Sequence, residues 1–129
     1  MRTRQEIIAA ARGCVGVRFR PQGRDPRYGL DCVGVAAIAY ARPVPADYAL
    51  RGGSRRAIAQ VIDATGLTSV ALDAAGPGDL LLLEAGAGQL HLAVLTTAGH
   101  VHADAGLRHV VETPGRPVQA VLGAWREGK

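Results

Sequence analysis

A chain of 129 residues is long enough for one domain with an ordinary core, and the reading is of a single domain over residues 1–129. Apolar residues make up 48% of it but aromatic ones only 4%, so small aliphatic side chains must build the core. The net charge of +4 is almost wholly arginine and contains no long basic run, which disfavours nucleic acid as a partner and suits an anionic polymer equally well.

Thr3 with Glu6 fits a capping box, and Ile7, Ile8, Ala11 and Cys14 follow at helical spacing. This predicts a first helix over about residues 4–14. The apolar run after the basic N-terminus stops at Arg12, too short for a signal peptide, and no stretch reaches membrane-spanning length. The expectation is a protein made in the cytoplasm, without an export signal and without membrane insertion.

Residues 15–30 contain Gly16, Pro21, Gly23, Pro26 and Gly29 and are expected to be loop. A second helix is predicted from Cys32 to about Ala41, with Asp31 as N-cap and Val33, Ala36, Ala37 and Tyr40 on one face. Cys32 then sits at a helix N-terminus, where unpaired N–H groups and the dipole favour a thiolate. Cys14 ends the stripe of the first helix and reads as core, which argues against a disulfide with Cys32. There is no Cys-x-x-Cys and no His pair at i, i+4, so no metal site is expected.

Residues 42–53 read as a connector. Ser54 caps a third helix that Gly66 ends. Leu80–Leu83, Leu90–Thr96, His100–Asp104, Leu107–Val111 and Val118–Trp125 then read as consecutive antiparallel strands. Helices first and strands second predict an α+β fold.

Alternation puts His91 on the strand face opposite Leu90, Leu92 and Val94, and puts His100, His102 and Asp104 on one face of the next strand. With residues 96–99 as the hairpin loop, Leu95 faces His100 and Ala93 faces His102. His91 and His102 become diagonal neighbours about 7–8 Å apart at the backbone, within reach of their rings. A register change of one residue would separate them.

These pieces resemble the NlpC-type cysteine peptidases, papain-like enzymes that cut peptidoglycan stem peptides. Gly16-Val17-Arg18-Phe19, Gln22-Gly23-Arg24-Asp25-Pro26 and Gly29-Leu30-Asp31-Cys32-Val33-Gly34 resemble the segment leading to the nucleophile. Pro77-Gly78-Asp79-Leu80, His91-Leu92-Ala93-Val94 and Val101-His102-Ala103 resemble the family's central strands. The resemblance leaves only about residues 42–73 unmatched. The wording of the loop is most similar to the branch found in phage tails and gene transfer agents. Two departures stand out: Phe19 where the family has tyrosine, and Val33 where it has serine.

The resemblance implies a papain-like α+β fold with the Cys32 helix packed on an antiparallel sheet. It implies Cys32 as nucleophile, His91 as base and His102 as the residue that orients it, with no metal or organic cofactor. Gln22 and Asp31 are candidate substrate-binding residues, Gln22 also as a donor to an oxyanion. Asp31 reads first as a cap, and its charge opposes the thiolate. His100 and His109 read as surface residues. Arg20, Arg24 and Arg27 are either solvated or carboxylate-binding. Residues 43–53 are either a plain connector or a docking or substrate-gating loop, with Tyr48 and Leu50 as apolar anchors and Arg51 at the rim.

The function so implied is hydrolysis of a stem-peptide amide, delivered by a phage-like particle together with other tail proteins. Two alternatives stand beside it. One is a structural tail-tip component with weak or lost activity. The other is a different thiol enzyme, an amidase or acyltransferase, on the same fold.

Overall fold

Thr3 starts the first helix as its capping box predicts. Its hydroxyl accepts from Glu6 N at 3.1 Å, and Glu6 Oε1 accepts from Thr3 N at 2.8 Å. The computed structural model describes residues 2–44, 54–86 and 88–128. Tyr48, Leu50 and Arg51 of the candidate docking loop lie outside the described residues.

Helix α1 (Arg4–Arg12) is followed by a small hairpin, β1 (Arg24–Asp25) and β2 (Gly29–Leu30), within the segment expected to be loop alone. Helix α2 (Cys32–Tyr40) starts at Asp31, whose side chain accepts from Gly34 N, and ends on Ala41 in the left-handed region. Helix α3 (Arg55–Ala64) is capped by Ser54. Then come β3 (Thr68–Val70), a short 3₁₀ turn (Leu72–Ala74), β4 (Leu80–Gly86), β5 (Gln89–Leu95), β6 (Gly99–Asp104), β7 (His109–Pro114) and β8 (Ala120–Arg126).

The large sheet is antiparallel and six-stranded, in the order β3-β8-β4-β5-β6-β7. The strands were expected to pair in succession. Instead β8 returns across the sheet to lie between β3, which lacked a sequence signal, and β4. Two long-range contacts hold it there. Trp125 Nε1 donates to Asp63 Oδ1 at 2.8 Å, and Arg126 grips the fully buried Asp79 with bonds of 3.0 and 2.8 Å.

The strand bounds also shift. Residues 107 and 108 are turn rather than strand, because Asp104 Oδ1 accepts from Leu107 N at 2.9 Å and Arg108 takes a positive φ of 68°. This delays β7 to His109.

All three helices contribute to the main core. Ile7, Ala11, Val35, Ala39, Ile58 and Ile62 pack with Leu80, Leu82, Leu92, Val94 and Val101 from the sheet. The other sheet face buries Leu81, Leu83, Ala93, Leu95 and Ala124. Leu80–Leu83 are therefore buried on both faces, and a continuous apolar run results rather than an alternating one.

Gly34 sets how closely α2 meets the loop before it. A Cβ there would run into the carbonyl of Gly23. The helix N-terminus is thus pressed onto residues 22–23.

Candidate active site

Cys32 is the first residue of α2, fixed by the local cap. Asp31 Oδ1 accepts from Gly34 N at 2.8 Å and Oδ2 accepts from Gln22 N at 3.0 Å. Arg24 Nη1 donates to Asp31 Oδ1 at 3.1 Å. Asp31 therefore ties the loop to the helix. Gln22 has a positive φ of 59°, a conformation that costs a non-glycine residue energy and that the contact with Asp31 helps to hold.

The predicted pair of Leu95 with His100 is observed, with Val94 beside Val101, but the β5–β6 ladder stops there and the predicted pair of Ala93 with His102 is not formed. Toward His91 the backbone of β5 is available to α2 instead, and the N–H of Leu92 bonds to the Cys32 thiol. His91 Nε2 lies 3.0 Å from His102 Nδ1, and the two rings meet edge to face at 87°. Cys32, His91, His102, Gln22 and Asp31 line one cleft of about 720 Å³, joined by Phe19, Asp104 and Gln119. All five residues singled out from the sequence are thus brought together.

The electrostatics overturn one expectation. Cys32 was expected to titrate low at its helix N-terminus. Burial, with 4% of the residue exposed, and then the charge of Asp31 push its thiol up to about 12. The N–H groups of Leu92, Cys32 and Val33 oppose this and are outweighed. Burial, then the neighbouring His102, pushes His91 down to about 4, against an opposing pull from Asp104. Burial and His100 also lower His102. At neutral pH burial thus favours a neutral thiol and neutral imidazoles in this cleft.

His100 was expected at the surface. It is buried, its ring stacks on His102 at 4.9 Å, and its Nδ1 lies 2.8 Å from the carbonyl oxygen of Gly115. His102 Nε2 in turn lies 2.9 Å from Thr113 Oγ1 on β7. The shared face of His100 and His102 was visible in the sequence. Thr113 was not, because its place depends on the β6–β7 register. His109 is exposed, as expected.

Cys14 is buried in the core and its Sγ donates to Ala10 O at 3.5 Å; both cysteines are free thiols. Arg24 is bound to Asp31 and to the carbonyl of Val44, Arg27 is paired with Asp25, and Arg20 is exposed. Among the described residues no group of three His, Cys, Asp or Glu is placed to hold a metal ion. No helix among them is long and apolar enough to cross a membrane.

No protein-family model and no curated protein matches the sequence. Solved structures do. The NlpC/p60 domain of the peptidoglycan hydrolase SagA superposes with a TM-score of 0.63 at 22% identity, over 88% of this chain and 90% of that one. An NlpC/p60 family protein from Bacillus cereus superposes at 0.69 and 21% identity; the match covers 97% of this chain and 40% of the longer protein. The peptidoglycan hydrolase RipB from Mycobacterium tuberculosis superposes at 0.64 and 21% identity, over 98% of this chain and 65% of that one. Helices on one antiparallel sheet, with Cys32 opening the helix that meets β5 and β6, thus form the papain-like α+β fold of the NlpC/p60 domains.

Proposed function

We propose that this chain is a cysteine endopeptidase that hydrolyses an amide bond of a peptidoglycan stem peptide. The observation that carries the reading is the one cleft lined by both Cys32, at the start of α2, and His91, itself joined to His102 at 3.0 Å. The fold shared with peptidoglycan hydrolases supports the substrate class.

In this reading Cys32 Sγ attacks the scissile carbonyl carbon as its proton passes to His91 Nδ1. The Cys32 backbone N–H and the side chain of Gln22 face the tetrahedral oxyanion. Collapse breaks the C–N bond, and the amine leaves with the proton from His91. Water then attacks the thioester as His91 takes its proton, which restores the thiol and releases the acid. His102 orients His91. Asp31 holds the loop that carries Gln22 beside the nucleophile. No metal or organic cofactor enters these steps.

The local setting is a phage tail or gene-transfer-agent particle, with other tail proteins as partners. The loop wording from Phe19 to Pro26 supports it. Particles from a producing strain should contain this chain by peptide mapping; recovery only as a free protein would remove the delivery reading.

The decisive test of the chemistry is mass spectrometry of fragments released from purified peptidoglycan. The wild type should release peptides with a new terminus within the stem, and Cys32→Ala and His91→Ala should release none. Turnover retained in Cys32→Ala would overturn the mechanism. A second reading, a structural tail-tip component with weak or lost activity, draws support from the thiol that burial pushes up to about 12. Trapping a thioester on Cys32 would exclude it.

A further inference from the structure

His102 uses both ring nitrogens. Nδ1 lies 3.0 Å from His91 Nε2, and Nε2 lies 2.9 Å from Thr113 Oγ1. We propose that Thr113 is a positioning residue, whose hydroxyl accepts the Nε2–H of His102 and thereby leaves His91 Nδ1 bare toward the cleft. This rests on the peptidase reading above, in which His91 is a base.

A neutral imidazole carries one N–H. Only one proton fits between His91 Nε2 and His102 Nδ1. If His91 supplies it, His91 Nδ1 keeps its lone pair, and the proton of His102 is on Nε2, aimed at Thr113. If His102 supplies it, the remaining proton of His91 is on Nδ1, and the imidazole cannot accept from a thiol. Only the first order makes a base, and it requires an acceptor at the far end of the chain. Thr113 Oγ1 occupies that position.

The surroundings hold the arrangement. The β6–β7 ladder pairs His100 with Thr113 and His102 with Val111, so Thr113 is the diagonal neighbour of His102. Gly99 lets β7 come close, because a Cβ there would run into the carbonyl of Thr113. His100 lies nearly parallel to His102, at 19°, which limits the swing of the ring. Its own Nδ1 faces a carbonyl oxygen, an acceptor only, so His100 carries its proton there and does not compete for Thr113. The relay therefore ends in a neutral hydroxyl where a Ser-His-Asp triad ends in a carboxylate.

The test needs no substrate for its first arm. Long-range ¹H–¹⁵N spectra of ring-labelled protein at pH 7 should show His91 and His102 both protonated on Nε2. Thr113→Ser should preserve that pattern. Thr113→Val keeps the shape and removes the hydroxyl, and the two rings should then show mixed tautomers; Thr113→Ala covers a valine variant that fails to fold. In the second arm, kcat on a muropeptide should fall about tenfold in Thr113→Val with KM unchanged, and Thr113→Ser should restore it. Wild-type His91 protonated on Nδ1, or a valine variant with unaltered tautomers and kcat, would overturn the proposal. If the wild type hydrolyses nothing, the peptidase reading fails, and the spectra still decide whether Thr113 sets the tautomer.

Discussion

The raised thiol of Cys32 makes a prediction that separates two kinds of cysteine site. A preformed thiolate–imidazolium pair alkylates at a rate that is already flat by pH 6–7. A thiol near 12 does not. At pH 8 its thiolate fraction is about one in ten thousand, against about one in ten for a thiol at 9.0, the ordinary value here. A more basic thiolate is also the better nucleophile, which recovers about half of that difference on a logarithmic scale, so iodoacetamide should modify Cys32 roughly 30- to 60-fold more slowly than a free cysteine peptide at pH 8, with further slowing from burial. The rate should climb about tenfold per pH unit from 6 to 9 without a plateau. Asp31→Asn probes the cause. Asparagine keeps one oxygen to accept from Gly34 N and so keeps the helix cap, but it loses the second acceptor that Gln22 N uses; the opposing charge is removed. The variant should alkylate faster at every pH in that range. The assay is mass-resolved alkylation in a Cys14→Ser background, which isolates Cys32. A plateau near neutral pH, or no acceleration in Asp31→Asn, would refute the argument that burial and Asp31 control this thiol.

Further outcomes follow from the same contacts. His91 sits at about 4 in the folded chain against 6.5 when unperturbed, so the unfolded state binds the proton more readily between those values. Its contribution is fully present above pH 6.5 and is lost as the pH falls through 4, on the order of 3 kcal/mol in denaturant titrations; stability that stays level from pH 7 to 4 would contradict the burial of the ring. Gly34→Ala should cost about 2–4 kcal/mol, because the new methyl strikes the Gly23 carbonyl and strains the Asp31 cap, and an unchanged midpoint of unfolding would show that the loop yields freely. Asp79→Ala should cost about 3 kcal/mol, since it leaves Arg126 without its paired bonds and Gly76 N without its acceptor at 2.9 Å; thermal melts measure it, and a loss under 1 kcal/mol would argue against that pair as the anchor of β8.

What the sequence determined on its own are the features set within a few residues. Thr3 with Glu6, Asp31 with Gly34 and Ser54 with Ala57 are contacts three residues apart, so the three helix starts were legible before any fold was known. The meeting of His91 and His102 was legible too, because a short hairpin loop leaves few registers and alternation fixes the faces. Only the tertiary structure decided what depends on distant partners. The β8 strand lies beside β4 because Trp125 reaches Asp63 and Arg126 reaches Asp79, contacts across 62 and 47 residues that no local pattern encodes. Thr113 reaches His102 only through the β6–β7 register. The sign of the thiol shift was decided the same way. The helix N-terminus that lowers a thiol is a local feature, whereas the burial that raises it comes from the sheet closing over Cys32, and desolvating a charge outweighs a few oriented N–H groups.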